Sequence, residues 1–145
     1  CGISGENTSG GCLVWNGCCL KAWSSTQTLI ALSSGEAECY AALRGASEGL
    51  GLQATALDMG MCLKIIVHTD ASACNGIIQR QGLGKLRHME VAMLWLQDVY
   101  KKGKRSIVKI KGTLNPADLL TRYLDKGLIS ANMKILNFVF INGAV

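Results

Sequence analysis

The chain has 145 residues and is 49% hydrophobic; fifteen Lys plus Arg against ten Asp plus Glu leave a formal charge of +5. This is enough apolar material for one buried core, which excludes a disordered chain, and the modest basic excess suits a polyanionic partner without requiring one. No apolar run reaches the length of a membrane span, nothing at the start reads as a secretory leader, and seven cysteines without C-x-x-C spacing argue against a zinc site or a disulfide framework. The cysteines are instead expected as small apolar core residues in a reducing compartment. A first residue that is Cys1, leading into a polar run, reads as the start of a fragment of something longer.

In chain order, residues 1–11 are rich in Gly, Ser, Asn and Thr and predict a loop or the remnant of a strand end. Residues 12–15 and 18–23 flank Asn16-Gly17, a pair that accepts positive φ at both central turn positions, so a β-hairpin is predicted. Residues 28–32 form a short apolar extension. Ser33 or Ser34 then caps a helix predicted to run to about Met59 and to end at Gly60, with Glu36 and Glu38 near its positive end. Two faces are expected on it. Leu43, Ala46, Leu50, Ala54 and Leu57 form one; the small residues Ala42, Gly45, Gly49 and Ala56 form the other. Glu38 heads the small face and Glu36 the leucine stripe, as a surface charge.

Residues 63–67 are β-branched and predict a buried strand that ends at Thr69-Asp70, followed by a short helix over 71–79. Gly82 and Gly84 mark a connection. Residues 86–100 are amphipathic, with Met89, Met93, Leu96 and Tyr100 at helical spacing, and Gly103 breaks that helix. Residues 106–110 predict another strand. Pro116 is placed for the first turn of a last helix, and the tail is apolar. Hairpin, helix, strand, helix, helix, strand, helix implies an α/β fold in which an antiparallel hairpin joins parallel strands in a mixed sheet flanked by helices. In such sheets chemistry gathers at the C-terminal ends of strands, where Asp70 and Asp118 are expected.

Several segments carry chemistry. They are Thr8-Ser9-Gly10-Gly11, Trp23-Ser24-Ser25-Thr26-Gln27, Ala31-Leu32-Ser33-Ser34-Gly35-Glu36-Ala37-Glu38, Asp70 with Ser72-Ala73, Arg87-His88, and Asn115-Pro116-Ala117-Asp118 with Thr121-Arg122. In this order they resemble the ribonuclease H domain of copia-type LTR retrotransposon Pol polyproteins, over residues 8–124. The resemblance implies a ribonuclease H-like fold, with the first strand partly or wholly missing here, in a domain over 1–128. Residues 129–145 then form an apolar C-terminal tail. It also implies metal-dependent endonucleolytic hydrolysis of RNA in RNA–DNA hybrids during reverse transcription. By motif position, Glu38, Asp70 and Asp118 match three of the family's four carboxylates; the first Asp has no counterpart in this chain. Cys39 stands where the family usually has Tyr, and Ala71 where it usually has Asn.

Phosphodiester hydrolysis must stabilise charge on both the attacking and the leaving oxygen, which two Mg²⁺ ions about 3.5–4 Å apart achieve. Hard carboxylate oxygens suit Mg²⁺, with Mn²⁺ as an alternative. Asp70 and Glu38 are expected to bind one ion and Asp118 the other. Without the bridging Asp, metal affinity is expected to fall and the isolated chain to be weak or inactive, which leaves open whether it is an enzyme by itself. His88 is a candidate for proton transfer, against the plainer reading of a half-exposed helix residue. Lys85, Arg87, Lys101, Lys102, Lys104 and Arg105 are candidate phosphate contacts, against the plainer reading of a solvated helix end and loop. Trp15 and Trp23 are read as core residues rather than base-stacking platforms. The partners implied are an RNA–DNA hybrid and the reverse transcriptase domain of the same polyprotein, with no membrane. The location implied is intracellular, in a cytoplasmic virus-like particle or the nucleus. Two other readings stand beside this one: a degenerate, non-catalytic retrotransposon remnant with residual nucleic-acid binding, and, ranked lower, a small-molecule enzyme using Asp70 and a cysteine nucleophile.

Overall fold

The computed structural model describes residues 8–27, 33–79, 90–101 and 105–138. It is a mixed α/β arrangement with one antiparallel and one parallel strand pair. Strands β1 (Thr8–Trp15) and β2 (Cys18–Thr26) form the hairpin, and its turn has φ of 50° at Asn16 and 78° at Gly17, the left-handed values that Asn-Gly tolerates. The ladder runs from Thr8 opposite Thr26 to Trp15 opposite Cys18, so 8–11 are strand rather than loop. The glycines there serve packing: a Cβ on Gly11 would run into the Trp23 ring. Trp23 is half-buried over Gly11 but lies outside the core cluster, and Trp15 at the hairpin tip is 47% exposed, so neither is the core residue expected.

Helix α1 (Ser34–Asp58) starts where Ser33 Oγ accepts the Glu36 N–H at 3.2 Å and ends at Met59, with Gly60 at φ 78°. Its buried residues are Glu36, Cys39, Ala42, Ala46, Gly49 and Ala56. The buried side draws on both expected faces, Ala46 and the partly buried Leu43 from the leucine stripe and Ala42, Gly49 and Ala56 from the small one, while Leu57 is 61% exposed. Small side chains let α1 lie close to the next strand: a Cβ on Gly49 would stand 2.8 Å from Ile65 Cγ2. Glu36, three residues before Cys39, heads this buried face; it is 5% exposed, a correction to its expected place on the surface, while Glu38 is exposed.

Strand β3 (Ile65–Thr69) pairs in parallel with β4 (Arg105–Lys109), in register from Ile65 opposite Arg105 to Thr69 opposite Lys109. Helices α2 (Ser72–Gln79) and α3 (Glu90–Lys101) complete the crossover. Cys39, Ala42 and Ala46 of α1, Val67, Ala71, Cys74, Ile78 and Leu96 make the core, with Tyr40, Ile65, Trp95 and Ile107 at its margin. The single mixed sheet expected is, among the described residues, two separate two-stranded sheets. They are joined by α1, which packs on both β1 and β3, rather than by a shared ladder.

After β4 the chain makes two short 3₁₀ turns, Gly112–Leu114 and Pro116–Leu120, where one helix was expected. Helix α4 (Lys126–Ile135) follows, capped by Asp125 Oδ1 on the Leu128 N–H at 3.0 Å. The boundary expected at 128/129 therefore falls inside a helix. Asn132 and Leu136 are 2% exposed, so this stretch is packed against the Pro116–Leu120 turn rather than trailing away.

The glycine environments predict effects of opposite sign. Gly11→Ala should lower stability by about 1–3 kcal/mol through the clash with Trp23. Gly51→Ala, in α1 with nothing within 4 Å of the added methyl, should raise it by up to about 1 kcal/mol. Denaturant unfolding of the two variants checks both signs.

Candidate active site

Because β3 and β4 end level, the residues that follow them emerge side by side. Asp70 comes directly after Thr69, whose carbonyl accepts the Ile110 N–H at 3.0 Å and extends the pairing by one step. Four residues of turn then bring Asn115 back over Asp70. Its side chain makes two contacts: Oδ1 accepts the Ala117 N–H at 3.2 Å, capping the Pro116–Leu120 turn, and Nδ2 donates to Asp70 Oδ1 at 3.4 Å. The capped turn carries Asp118, which is 7% exposed. Arg122 Nη2 donates to Asp118 Oδ1 at 2.9 Å, and the Asp118 carbonyl accepts the Arg122 N–H at 3.2 Å.

Burial pushes the Asp118 carboxyl above its ordinary range. The Arg122 charge and hydrogen bond pull the other way, and the negative charge of Asp70 adds to the rise. Asp70 and Asp118, 48 positions apart in the chain, are thus close enough for the charge of one to be felt at the other.

Glu38 is not in this pair. It lies exposed on α1, where its charge is felt at the Cys74 thiol of α2. Among the described residues, no three His, Cys, Asp or Glu side chains gather closely enough to hold a metal ion. The two carboxylates linked through Asn115 fit magnesium in kind, being hard oxygens. One Asp118 oxygen is already held by Arg122.

Lys85, Arg87, His88, Lys102 and Lys104 lie outside the described residues. Lys101 is exposed at the end of α3, and Arg105 opens β4. Asn115 was read from the sequence as part of a turn; its role in tying Asp70 to the Asp118 turn was not. The signal was there in the spacing of Asn115-Pro116, since Asn before a Pro-led helical turn is a capping residue.

Two comparisons return nothing: neither a protein-family model nor a solved structure matches the chain. Over 120 residues, 81% of its length, the chain is 26% identical to the retrovirus-related Pol polyprotein from transposon TNT 1-94 of Nicotiana tabacum. The similarity supports a retrotransposon Pol origin. The chain spans 8% of that relative's length. No helix among the described residues is long and apolar enough to cross a membrane.

Two predictions follow from this geometry. Asn115→Ala removes a cap and a contact to Asp70 and should cost about 1 kcal/mol in denaturant unfolding. The second concerns pH. A carboxyl whose folded pKa is raised binds its proton more tightly when folded, so its contribution is greatest at low pH. That contribution is lost as pH rises from the ordinary value of 3.8 through the raised one. Over that interval, in metal-free buffer, the wild-type chain should lose stability relative to Asp118→Asn; parallel pH profiles for the two would contradict the raised value.

Proposed function

We propose that this chain is the ribonuclease H portion of a retrotransposon Pol polyprotein, acting in metal-dependent endonucleolytic hydrolysis of RNA in RNA–DNA hybrids. The observation that carries the reading is Asp70, directly after β3, tied through Asn115 to the turn that carries Asp118, in a chain similar to a Pol polyprotein. Two acids that repel each other at a strand end are a poor structural device and a good cation seat.

Asp70 and Asp118 would hold magnesium, with Glu38 supplied from α1. The metal, when bound, lowers the pKa of an attacking water and stabilises charge on the phosphate oxygens. The protein's own part is positional. The β3–β4 register sets Asp70; the Asn115 amide holds the Asp118 turn against it; and burial of Asp118 keeps that carboxyl away from bulk water. Lys101 and Arg105, with Lys85, Arg87, Lys102 and Lys104, are the candidate phosphate contacts, and His88 the candidate proton carrier. The first Asp of the family pattern is not in this chain, so full activity is proposed only for the protein with its preceding sequence.

One observation favours the reading of a non-catalytic remnant. Arg122 already neutralises Asp118, so the acid can stand as half of a structural ion pair.

The deciding experiment is cleavage of a labelled RNA–DNA hybrid with Mg²⁺ or Mn²⁺, by the chain with and without its preceding polyprotein sequence. The extended protein should cut the RNA strand only, and Asp70→Asn or Asp118→Asn should lower the rate by at least about 100-fold. A thermal shift with Mn²⁺ that both variants abolish should accompany it. Neither cleavage nor a metal-dependent shift in the extended protein would leave the remnant reading.

A further inference from the structure

An open groove of about 620 Å³, within the size range of small-molecule sites, lies beside the Pro116–Leu120 turn. Its lining includes the half-buried Leu120 and Leu124, Ile129 of α4, and Arg122 and Tyr123. Tyr123 is 105% exposed, so its ring is covered by nothing in the fold and is free to stack on a planar ligand. Among the described residues that line the groove, Arg122 alone is charged. Its Nη2 donates to Asp118 Oδ1 at 2.9 Å, which uses one of the five guanidinium N–H donors, and 58% of its side chain stays exposed. A buried carboxylate thus steadies one corner of the guanidinium at the groove.

We propose that this groove holds one unpaired nucleotide of a single-stranded nucleic acid, its base stacked on Tyr123 beside the leucines and its phosphate on Arg122. The sign of the lining charge selects an anion, and the planar guanidinium matches phosphate oxygens. The aromatic ring and apolar wall select a flat, weakly polar body attached to that anion. A nucleotide combines the two. An acidic peptide would satisfy the guanidinium and leave the ring without a planar partner. A wholly apolar occupant would take water from the guanidinium with no anion in return. Bases inside a duplex already have both faces stacked, so only an unpaired one is open to Tyr123. Arg122 reaches Asp118 from the groove, so a strand held here runs past the acidic end of the protein. The inference rests on the nucleic-acid partner of the proposed function and not on its metal or its cleavage step.

The test is fluorescence anisotropy on the whole chain, in EDTA at low salt, with a labelled single-stranded oligonucleotide about ten residues long. Expected is saturable binding that Tyr123→Ala weakens by about 5- to 100-fold and Tyr123→Phe preserves. The same backbone without bases should bind the wild type as weakly as the oligonucleotide binds Tyr123→Ala. Arg122→Gln should weaken binding and flatten its salt dependence by about 0.7 in log–log slope. Ile129→Trp, which fills the groove from a position 37% exposed, should abolish binding. Absence of wild-type binding overturns the inference, as does equal binding of the base-free backbone. So does wild-type affinity in both Tyr123→Ala and Ile129→Trp, or a second copy in the groove, seen in sedimentation as dimerisation that Tyr123→Ala removes. Arg122 also braces the Asp118 turn; should Arg122→Gln fail to fold, the variants at the two exposed positions still decide. Oligonucleotide binding of the expected pattern in an extended protein that leaves the hybrid uncut overturns the nuclease reading alone. Cleavage with no effect of Tyr123→Ala or Ile129→Trp on binding overturns this inference alone.

Discussion

The level finish of β3 and β4 is the constraint on which the acidic end of this protein depends. Parallel strands in register deliver their following residues to the same edge, so Asp70 and the start of the returning turn emerge together. From there a single amide does the alignment. Asn115 caps the turn that carries Asp118 with one side-chain atom and reaches Asp70 with the other. A slip of one residue in the β3–β4 pairing would turn the inward residues Val67 and Thr69 outward and carry Asp70 away from Asn115. Core and site are therefore held by the same register.

The larger scaffold rests on α1. Its small face settles on β3 closely enough that Gly49 and Ile65 are neighbours, and the same helix reaches the hairpin on its other flank. There the contacts are polar. Lys21 pairs with Glu48 at 2.6 Å; Arg44 reaches the Ser25 hydroxyl and lies 5.8 Å over the Trp23 ring; and Gln27 donates to the Ala37 carbonyl at 2.8 Å. Exposed ion pairs contribute little each, and a cation over an aromatic ring about 0.5–1 kcal/mol. The hairpin is thus attached by several small terms together with the packing of β1 on the Pro116–Leu120 turn, where a Cβ on Gly10 would meet the Thr121 side chain. The parallel half, by contrast, owns most of the buried apolar residues.

Much of this was legible in the sequence where one local signal dominates. Asn16-Gly17 announced the hairpin turn, Ser33 the start of α1 and Gly60 its end. Both parallel strands were placed to within two residues. The misses share a cause: each depended on what a residue packs against. Gly10 and Gly11 look like loop until Trp23 and Thr121 are seen filling the space above them. The leucine stripe of α1 is the stronger apolar signal, yet close approach to β3 selects the small residues of both faces, Ala42, Ala46 and Gly49, and sends Leu57 to the surface. That choice also decides between the two glutamates, which lie about 200° apart around a helix, so that burying Glu36 exposes Glu38. Leu128 and Asn132 of α4 and Leu136 at its C-cap recur every four residues, but a polar member at the centre hid the pattern.

The charge at the strand ends frames what the site can do. Asp70 and Asp118 bring two negative charges when ionised, and Arg122 returns one. The Arg122 side chain is 58% exposed, so its attraction is screened by water and salt, while the carboxylate it holds is nearly buried. An ion pair of that shape is asymmetric. The acid is fixed by its turn and by burial; the base is held by one hydrogen bond at the end of a long, solvated chain. A divalent cation competing for the same oxygen needs only to move the guanidinium outward into water, where it loses little, while Asp118 stays where the Asn115 cap has put it. The existing ion pair is therefore a weak obstacle to cation binding. Among the described residues no third carboxylate joins the two acids, and Glu38 lies exposed on α1.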